Sequence, residues 1–132
     1  MSSMHDLAAV HESLRRRDPD ESEGRTVDEL RECARRCLAC AGSCLTAVAE
    51  RLDREEPLPS HLTVLLGCAE LCELTARSIV RGSSEASKIA QLCADVCDDT
   101  IAVAVGEPEL AATAEVARIC ARACRQLVAE PA

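Results

Sequence analysis

No phenylalanine, tyrosine or tryptophan occurs anywhere in the 132-residue sequence. Without aromatic rings there is no platform on which bases of a nucleic acid can stack. Lysine is nearly missing too: arginine supplies 14 of the 15 cationic side chains, and the net charge is −8. An acidic chain offers no basic footprint to a phosphate backbone, so no nucleic acid partner is expected. No apolar run approaches membrane-spanning length, so no membrane partner is expected either. Residues 1–10 lack a basic start followed by a long apolar stretch. A secretory signal would have both, so the chain is expected in the cytoplasm, where thiols stay reduced. Leu, Val, Ile, Ala and Cys must fill the interior alone. Such an interior lets helices approach closely but buries little area per residue. A bound metal is an obvious further source of stability.

What the sequence has is cysteine, ten in all. Every one belongs to a Cys-x-x-x-Cys pair: Cys33/Cys37, Cys40/Cys44, Cys68/Cys72, Cys93/Cys97 and Cys120/Cys124. On a helix turning about 100° per residue, Cys33, Cys37, Cys40 and Cys44 fall at about 0°, 40°, −20° and 20°. They form one narrow stripe about 16 Å long. Two residues at i,i+4 on an intact helix lie near the far end of disulfide reach, with poorly directed Cβ atoms. Ten thiols in a reducing compartment therefore point to metal or redox chemistry rather than a disulfide framework.

The pattern predicts an all-α chain. Residues 1–25 read as an appendage, with a short amphipathic helix over Met4–Arg16 (Leu7, Val10 and Leu14 inward) and a polar linker over 15–24. A cysteine-lined bundle over 26–130 follows. Thr26 and Glu29 form a capping box for a first helix reaching Leu52. Its inward face reads Leu30, the four cysteines, Val48 and Leu52; Arg31, Glu32, Arg35, Arg36, Glu50 and Arg51 face outward. Pro57 and Pro59 fix the next connection. Ser60 caps a second helix running to Arg81, with Leu65, Cys68, Cys72 and Ile79 inward, and Gly82 stops it. Ser84 caps a third running to Val105, burying Ile89, Cys93, Cys97, Ile101 and Ala104. Gly106 ends that helix, and Pro108 suits the first turn of a fourth. The fourth buries Val116, Cys120, Cys124 and Leu127 and ends near Val128; Pro131 closes the chain. Short connections force antiparallel neighbours, so the expected architecture is an up-down-up-down four-helix bundle. In that register the cysteines of all four helices reach one zone of the axis. Val48, Leu52, Leu62, Leu65 and Val103 form an aliphatic plug at the other end.

Four readings of the thiols compete. One or two buried cysteines are ordinary core, but ten paired and inward thiols are not. Structural zinc takes four ligands in a tetrahedron, and ten thiols exceed what one or two such ions need. An iron–sulfur cluster typically uses Cys-x-x-Cys in a loop, and here only Cys37/Cys40 has that spacing, within a helix. Cu(I) is soft and prefers thiolate. If Cu–S resembles Zn–S at about 2.3 Å, a linear S–Cu–S unit spans about twice that. Side chains at i,i+4, with Cβ atoms about 5–6 Å apart, can turn their sulfurs to this span.

Cys33-x3-Cys37-x2-Cys40-x3-Cys44, followed by Cys68-Ala-Glu-Leu-Cys72, Cys93-Ala-Asp-Val-Cys97 and Cys120-Ala-Arg-Ala-Cys124, resembles the four-helix-bundle copper storage proteins over about residues 26–129. The resemblance implies a non-enzymatic cytosolic protein that holds multiple Cu(I) ions on its ten cysteines and assembles as a homo-oligomer, a tetramer in many members. Family members often carry more cysteines on the later helices, so a smaller capacity is implied here. It also draws attention to His61, Met4, His5 and His11 as residues near a bundle mouth that assist metal uptake; an exposed histidine near a helix start explains His61 as well, and His5 and Met4, in the N-terminal segment, are weaker cases still. The residues themselves suggest that metal arrives from the end nearer Cys33, Cys93 and Cys124. Arg31, Arg35, Arg36, Arg122 and Arg125 are placed to offset thiolate charge, or are simply solvated. The alternative class is an iron–sulfur electron-transfer bundle.

Overall fold

The computed structural model describes residues 26–54 and 60–128. The expected N-terminal helix and linker, with Met4, His5 and His11, lie outside the described residues, as do Pro57, Pro59 and Pro131. Four helices carry the fold: α1 Val27–Leu52, α2 His61–Val80, α3 Ala86–Val103 and α4 Ala111–Val128, the last preceded by a 3-10 turn at Pro108–Leu110. There is no strand among the described residues. Helix α1 packs on α2 and α4, and α3 packs on the same two, which closes an antiparallel ring.

The start of α1 is fixed as expected. The Glu29 amide donates to Thr26 Oγ1 at 3.1 Å, and the Thr26 amide donates to Glu29 Oε1 at 3.0 Å. These two bonds satisfy backbone donors that a bare helix end leaves open. Gly82 ends α2 at φ 68°. Its amide donates to the Ile79 carbonyl and that of Ser83 to the Ser78 carbonyl, which makes a Schellman closure. Gly106, at φ 79°, turns the chain out of α3 into Pro108, the first residue of the 3-10 turn.

Two expected caps are corrected. Ser60 has helical dihedrals and makes no side-chain cap bond. Its carbonyl instead accepts from the Thr63 amide. Ser84 does not cap α3: Ser83 Oγ accepts from the Glu85 amide, and the helix begins one residue later than expected, at Ala86.

The core is a cysteine axis with alanine flanks. All ten cysteines are buried, and Ala41, Ala47, Ala69, Ala76, Ala90, Ala94, Ala117 and Ala121 are buried beside them. Each end is closed by aliphatic side chains. Leu30, Ile79 and Leu127 lie where α1 begins; Val48, Leu62, Leu65 and Leu110 lie where it ends. Ile89, Ile101, Val103 and Val116 are only half-buried at the rim of this core.

Two side chains of α1 trade the places expected of them. Leu52 is 56% exposed, whereas Arg51 is only 8% exposed. Successive i,i+4 steps drift about 40° around a helix, which carries Leu52 off the stripe that Cys44 began. Arg51 lies seven residues after Cys44 and stays on that stripe. Its guanidinium donates to Glu107 Oε1 at 2.6 Å and Glu109 Oε1 at 2.9 Å, tying the end of α1 to the α3–α4 connection. The backbone amide at Glu109, with Arg51 and Arg54, holds that carboxyl below its ordinary value. Substituting Arg51→Met keeps the aliphatic stem and removes the ion pair to Glu107. It is expected to lower the unfolding free energy of the reduced protein by about 1–2 kcal/mol, read as a lower urea midpoint. That is less than for a fully enclosed pair, because Glu107 is half in solvent.

Candidate metal centre

The ten thiols reach the axis because each helix places its cysteines in one line and alanines alongside. The small flanks let the helix backbones approach until sulfur meets sulfur. Shortest contacts run from Cys33 to Cys124 at 3.9 Å, Cys124 to Cys37 at 3.7 Å, and Cys37 to Cys120 at 3.8 Å. They continue from Cys120 to Cys72 at 3.9 Å and from Cys72 to Cys93 at 3.7 Å. Cys68 then lies 4.0 Å from Cys72, 3.9 Å from Cys97 and 3.8 Å from Cys40. No link in this chain is a disulfide, for all ten cysteines are free.

Three groups bring ligand atoms within 4.8 Å of one another: Cys37, Cys93, Cys120 and Cys124; Cys40, Cys72, Cys97 and Cys120; and Cys40, Cys44 and Cys68. Cys120 belongs to two of them and so does Cys40. Nine cysteines are gathered this way, and Cys33 joins through Cys124. The grouping follows the register expected from the sequence, with all four helices meeting at shared heights. It differs in one respect. Apart from Cys68–Cys72, the contacts at or below 4.0 Å join different helices rather than the i,i+4 partners of one helix. A periodicity shows which way a side chain points, but not which partner helix meets it.

Neighbouring thiols divide their protons unequally. Contact with Cys124 draws Cys33 from the usual thiol value down to about 5 and Cys120 down to about 7. Cys40 and Cys93 are also drawn down, Cys120 being the largest cause for both. Cys68 falls to about 5 although its contact with Cys40 pushes the other way. Cys37, Cys72 and Cys97 are pushed up, in each case by Cys120 first. Cys44 is pushed up by Cys40, and Cys124 by Cys120 and then Cys33. Burial resists the charge on every one of them.

His61 stands apart. It begins α2 seven residues before Cys68, about 10 Å of helix rise away. Its Nδ1 lies 4.0 Å from Glu107 Oε1, at the end closed by Arg51. Among the described residues, the groups with metal-binding spacing are made of cysteine alone. Of the outward arginines, Arg125 pairs with Asp98 and Asp95, and Arg35 and Arg36 both pair with Glu32. Leu110 and the buried alanines are the core residues that the sequence reading did not single out. Ala34, Ala41, Ala69, Ala94 and Ala121, each directly after a cysteine, were the available signal.

No curated protein matches the chain. Among solved structures, that of Ccsp, the copper storage protein of Streptomyces lividans loaded with 10 copper equivalents, is similar, with a TM-score of 0.71. The two are 28% identical, over 92% of this chain and 98% of that one. A family profile described as copper storage protein matches residues 19–129. Because that match runs through all four helices and takes in every one of the thiols, the chain belongs to the copper storage protein family.

Proposed function

We propose that the bundle stores copper as multiple Cu(I) ions bridged by the thiolates of Cys33, Cys37, Cys40, Cys44, Cys68, Cys72, Cys93, Cys97, Cys120 and Cys124. The observation that carries this reading is the unbroken run of buried sulfur contacts at 3.7–4.0 Å. If Cu–S is about 2.3 Å, three sulfurs around one trigonal ion lie about 4.0 Å apart, close to the spacing already present. Groups that share Cys120 and Cys40 call for bridging ligands, which separate tetrahedral zinc sites do not use.

Charge favours the same ion. A core this dry resists net charge. One Cu(I) per thiolate leaves the cluster neutral, whereas Zn²⁺ on four thiolates leaves two buried negative charges. The protein turns over no substrate in this reading. It works in the cytoplasm, with residues 26–130 as the storage unit and residues 1–25 as an appendage. Assembly as a homo-oligomer has a place to occur: Leu38, Leu45 and Leu52 are exposed at seven-residue spacing along one flank of α1.

Anaerobic titration of the reduced protein with Cu(I) against a competing chelator is expected to show tight uptake of on the order of one ion per thiolate. The product is expected to be colourless in the visible. Saturation at one equivalent, or a brown iron-dependent chromophore, would defeat the reading.

Sharing of ligands gives a second outcome. Cys120→Ser is expected to reduce bound copper more than Cys33→Ser, by mass spectrometry of the loaded protein.

Loading also displaces protons. Cys37, Cys44, Cys72, Cys97 and Cys124 are held above the usual thiol value and keep their protons at neutral pH. Cu(I) must displace those protons, so uptake in weak buffer at pH 7 is expected to acidify the solution, and affinity to fall as pH falls. A pH electrode during titration reads the first effect and chelator competition at pH 7 and 5.5 the second.

A further inference from the structure

We propose that Thr100 is a positioning residue of the store: its hydroxyl donates a hydrogen bond to the copper-bound thiolate of Cys44 and so steadies the ions at that end of the sulfur run. This deepens the storage reading and rests on it.

The three thiol groups are not equally furnished. The group of Cys37, Cys93, Cys120 and Cys124 draws sulfurs from α1, α3 and α4, and that of Cys40, Cys72, Cys97 and Cys120 draws them from all four helices. The group of Cys40, Cys44 and Cys68 has three sulfurs, from α1 and α2 alone. At the level of Cys44, α3 offers no sulfur and presents Thr100 instead.

The register places it there. Helices α1 and α3 run in the same direction, since both pack antiparallel on α2 and α4. Cys37 and Cys93 bring their sulfurs within 4.8 Å across the ring, and so do Cys40 and Cys97. Cys44 lies seven residues beyond Cys37, and Thr100 seven beyond Cys93. Seven residues return a helix to within about 20° of where it began and carry it about 10 Å along its axis. Thr100 therefore stands across from Cys44 as Cys93 stands across from Cys37. Its side chain is in the core, at 1% exposure.

Its hydroxyl differs from the others nearby. Thr75, three residues past Cys72, donates to the Leu71 carbonyl at 2.7 Å. Thr113 shares a hydrogen bond with Ser43 at 2.9 Å. Among the described residues, the buried hydroxyl oxygens without a partner are those of Ser78 and Thr100. Ser78 lies six residues past Cys72, about 120° around α2 and off the cysteine stripe. Thr100 is thus the unpartnered hydroxyl on the stripe itself. A buried hydroxyl left unbonded is costly, and a helical threonine has a ready remedy in the carbonyl one turn back, the one Thr75 takes. A hydroxyl that forgoes that bond beside a three-sulfur group fits a partner that arrives with the metal. A thiol sulfur is a weak acceptor, whereas a thiolate carries charge and accepts a stronger hydrogen bond. Loading converts Cys44 from the first to the second, and the hydroxyl proton rotates to meet it. The bond fixes the orientation of that sulfur and leaves its other lone pairs to copper.

The test uses the full-length reduced protein, with bicinchoninate competing for Cu(I). Thr100→Val keeps the shape and removes the hydroxyl; Thr100→Ser keeps the hydroxyl. Thr100→Val is expected to hold its weakest-bound copper about tenfold less tightly, about 1.4 kcal/mol, while Thr100→Ser stays within about twofold of the parent. The metal-free protein is expected to respond in the opposite sense. Thr100→Val raises its urea midpoint, because an unbonded buried hydroxyl is gone. A threonine with a structural role alone would lower the midpoint and leave copper affinity where it was. In a Cys44→Ser background, Thr100→Val is expected to cost no further affinity. Unchanged copper affinity in Thr100→Val, a lower metal-free midpoint, or a full tenfold loss that persists beside Cys44→Ser would overturn the role of Thr100 and leave storage standing. A parent chain that takes up no copper would instead remove the storage reading, and this proposal with it.

Discussion

Sulfur against sulfur on a common axis is the contact on which everything else in this bundle depends. A helix can deliver its side chains to within 4 Å of those on the opposite helix only when its flanks are small. That requirement explains the buried alanines beside the cysteines and the want of any aromatic ring. A phenylalanine at one flank would push two helices apart by more than the width of a sulfur contact. Cys72 on α2 meets Cys120 on α4 at 3.9 Å across the ring, and no helix pair with ordinary leucine flanks would allow it. The composition is therefore a consequence of the site, and the fold is correspondingly thin in apolar area.

Burying ten thiols also sets the electrostatics. In a dry core an isolated thiolate is strongly disfavoured, and a second beside it more so. Contacts among the thiols push neighbours in opposite directions, Cys33 and Cys120 down and Cys37 and Cys72 up. A monovalent soft cation relieves the cost of burial, because each ion that arrives cancels one thiolate. A divalent ion of fixed tetrahedral preference would leave charge behind and could not share ligands along the run.

Most of the architecture was legible in the sequence because one periodicity governs it. The Cys-x-x-x-Cys pairs gave four helices and their inward faces, the Thr26–Glu29 box gave the start of α1, and Gly82 and Gly106 gave two of the stops. Antiparallel counting put the cysteines of all four helices in one zone of the axis, and Cys37, Cys93, Cys120 and Cys124 do lie together there. The misses share a cause. Arg51 looked outward because charge was weighed above its place on the stripe, and its partners Glu107 and Glu109 lie too far along the chain to be seen. Ser60 and Ser84 looked like caps by residue type, but capping depends on backbone dihedrals that residue type does not fix. The i,i+4 pairing suggested sites within single helices, while the shortest contacts are set by helix separation, which no local pattern encodes.

A store must exclude water and oxidants from its cargo and still admit that cargo, and these demands oppose each other in a bundle this narrow. Opening an end would expose several sulfurs together, because each level of the axis is contributed by more than one helix. Aliphatic layers at both ends, stiffened at one by Arg51, settle that side of the conflict in favour of exclusion. In the storage reading, exchange between adjacent thiolates moves an ion along the axis without the backbone moving, since neighbouring sulfurs in the run already lie 3.7–4.0 Å apart.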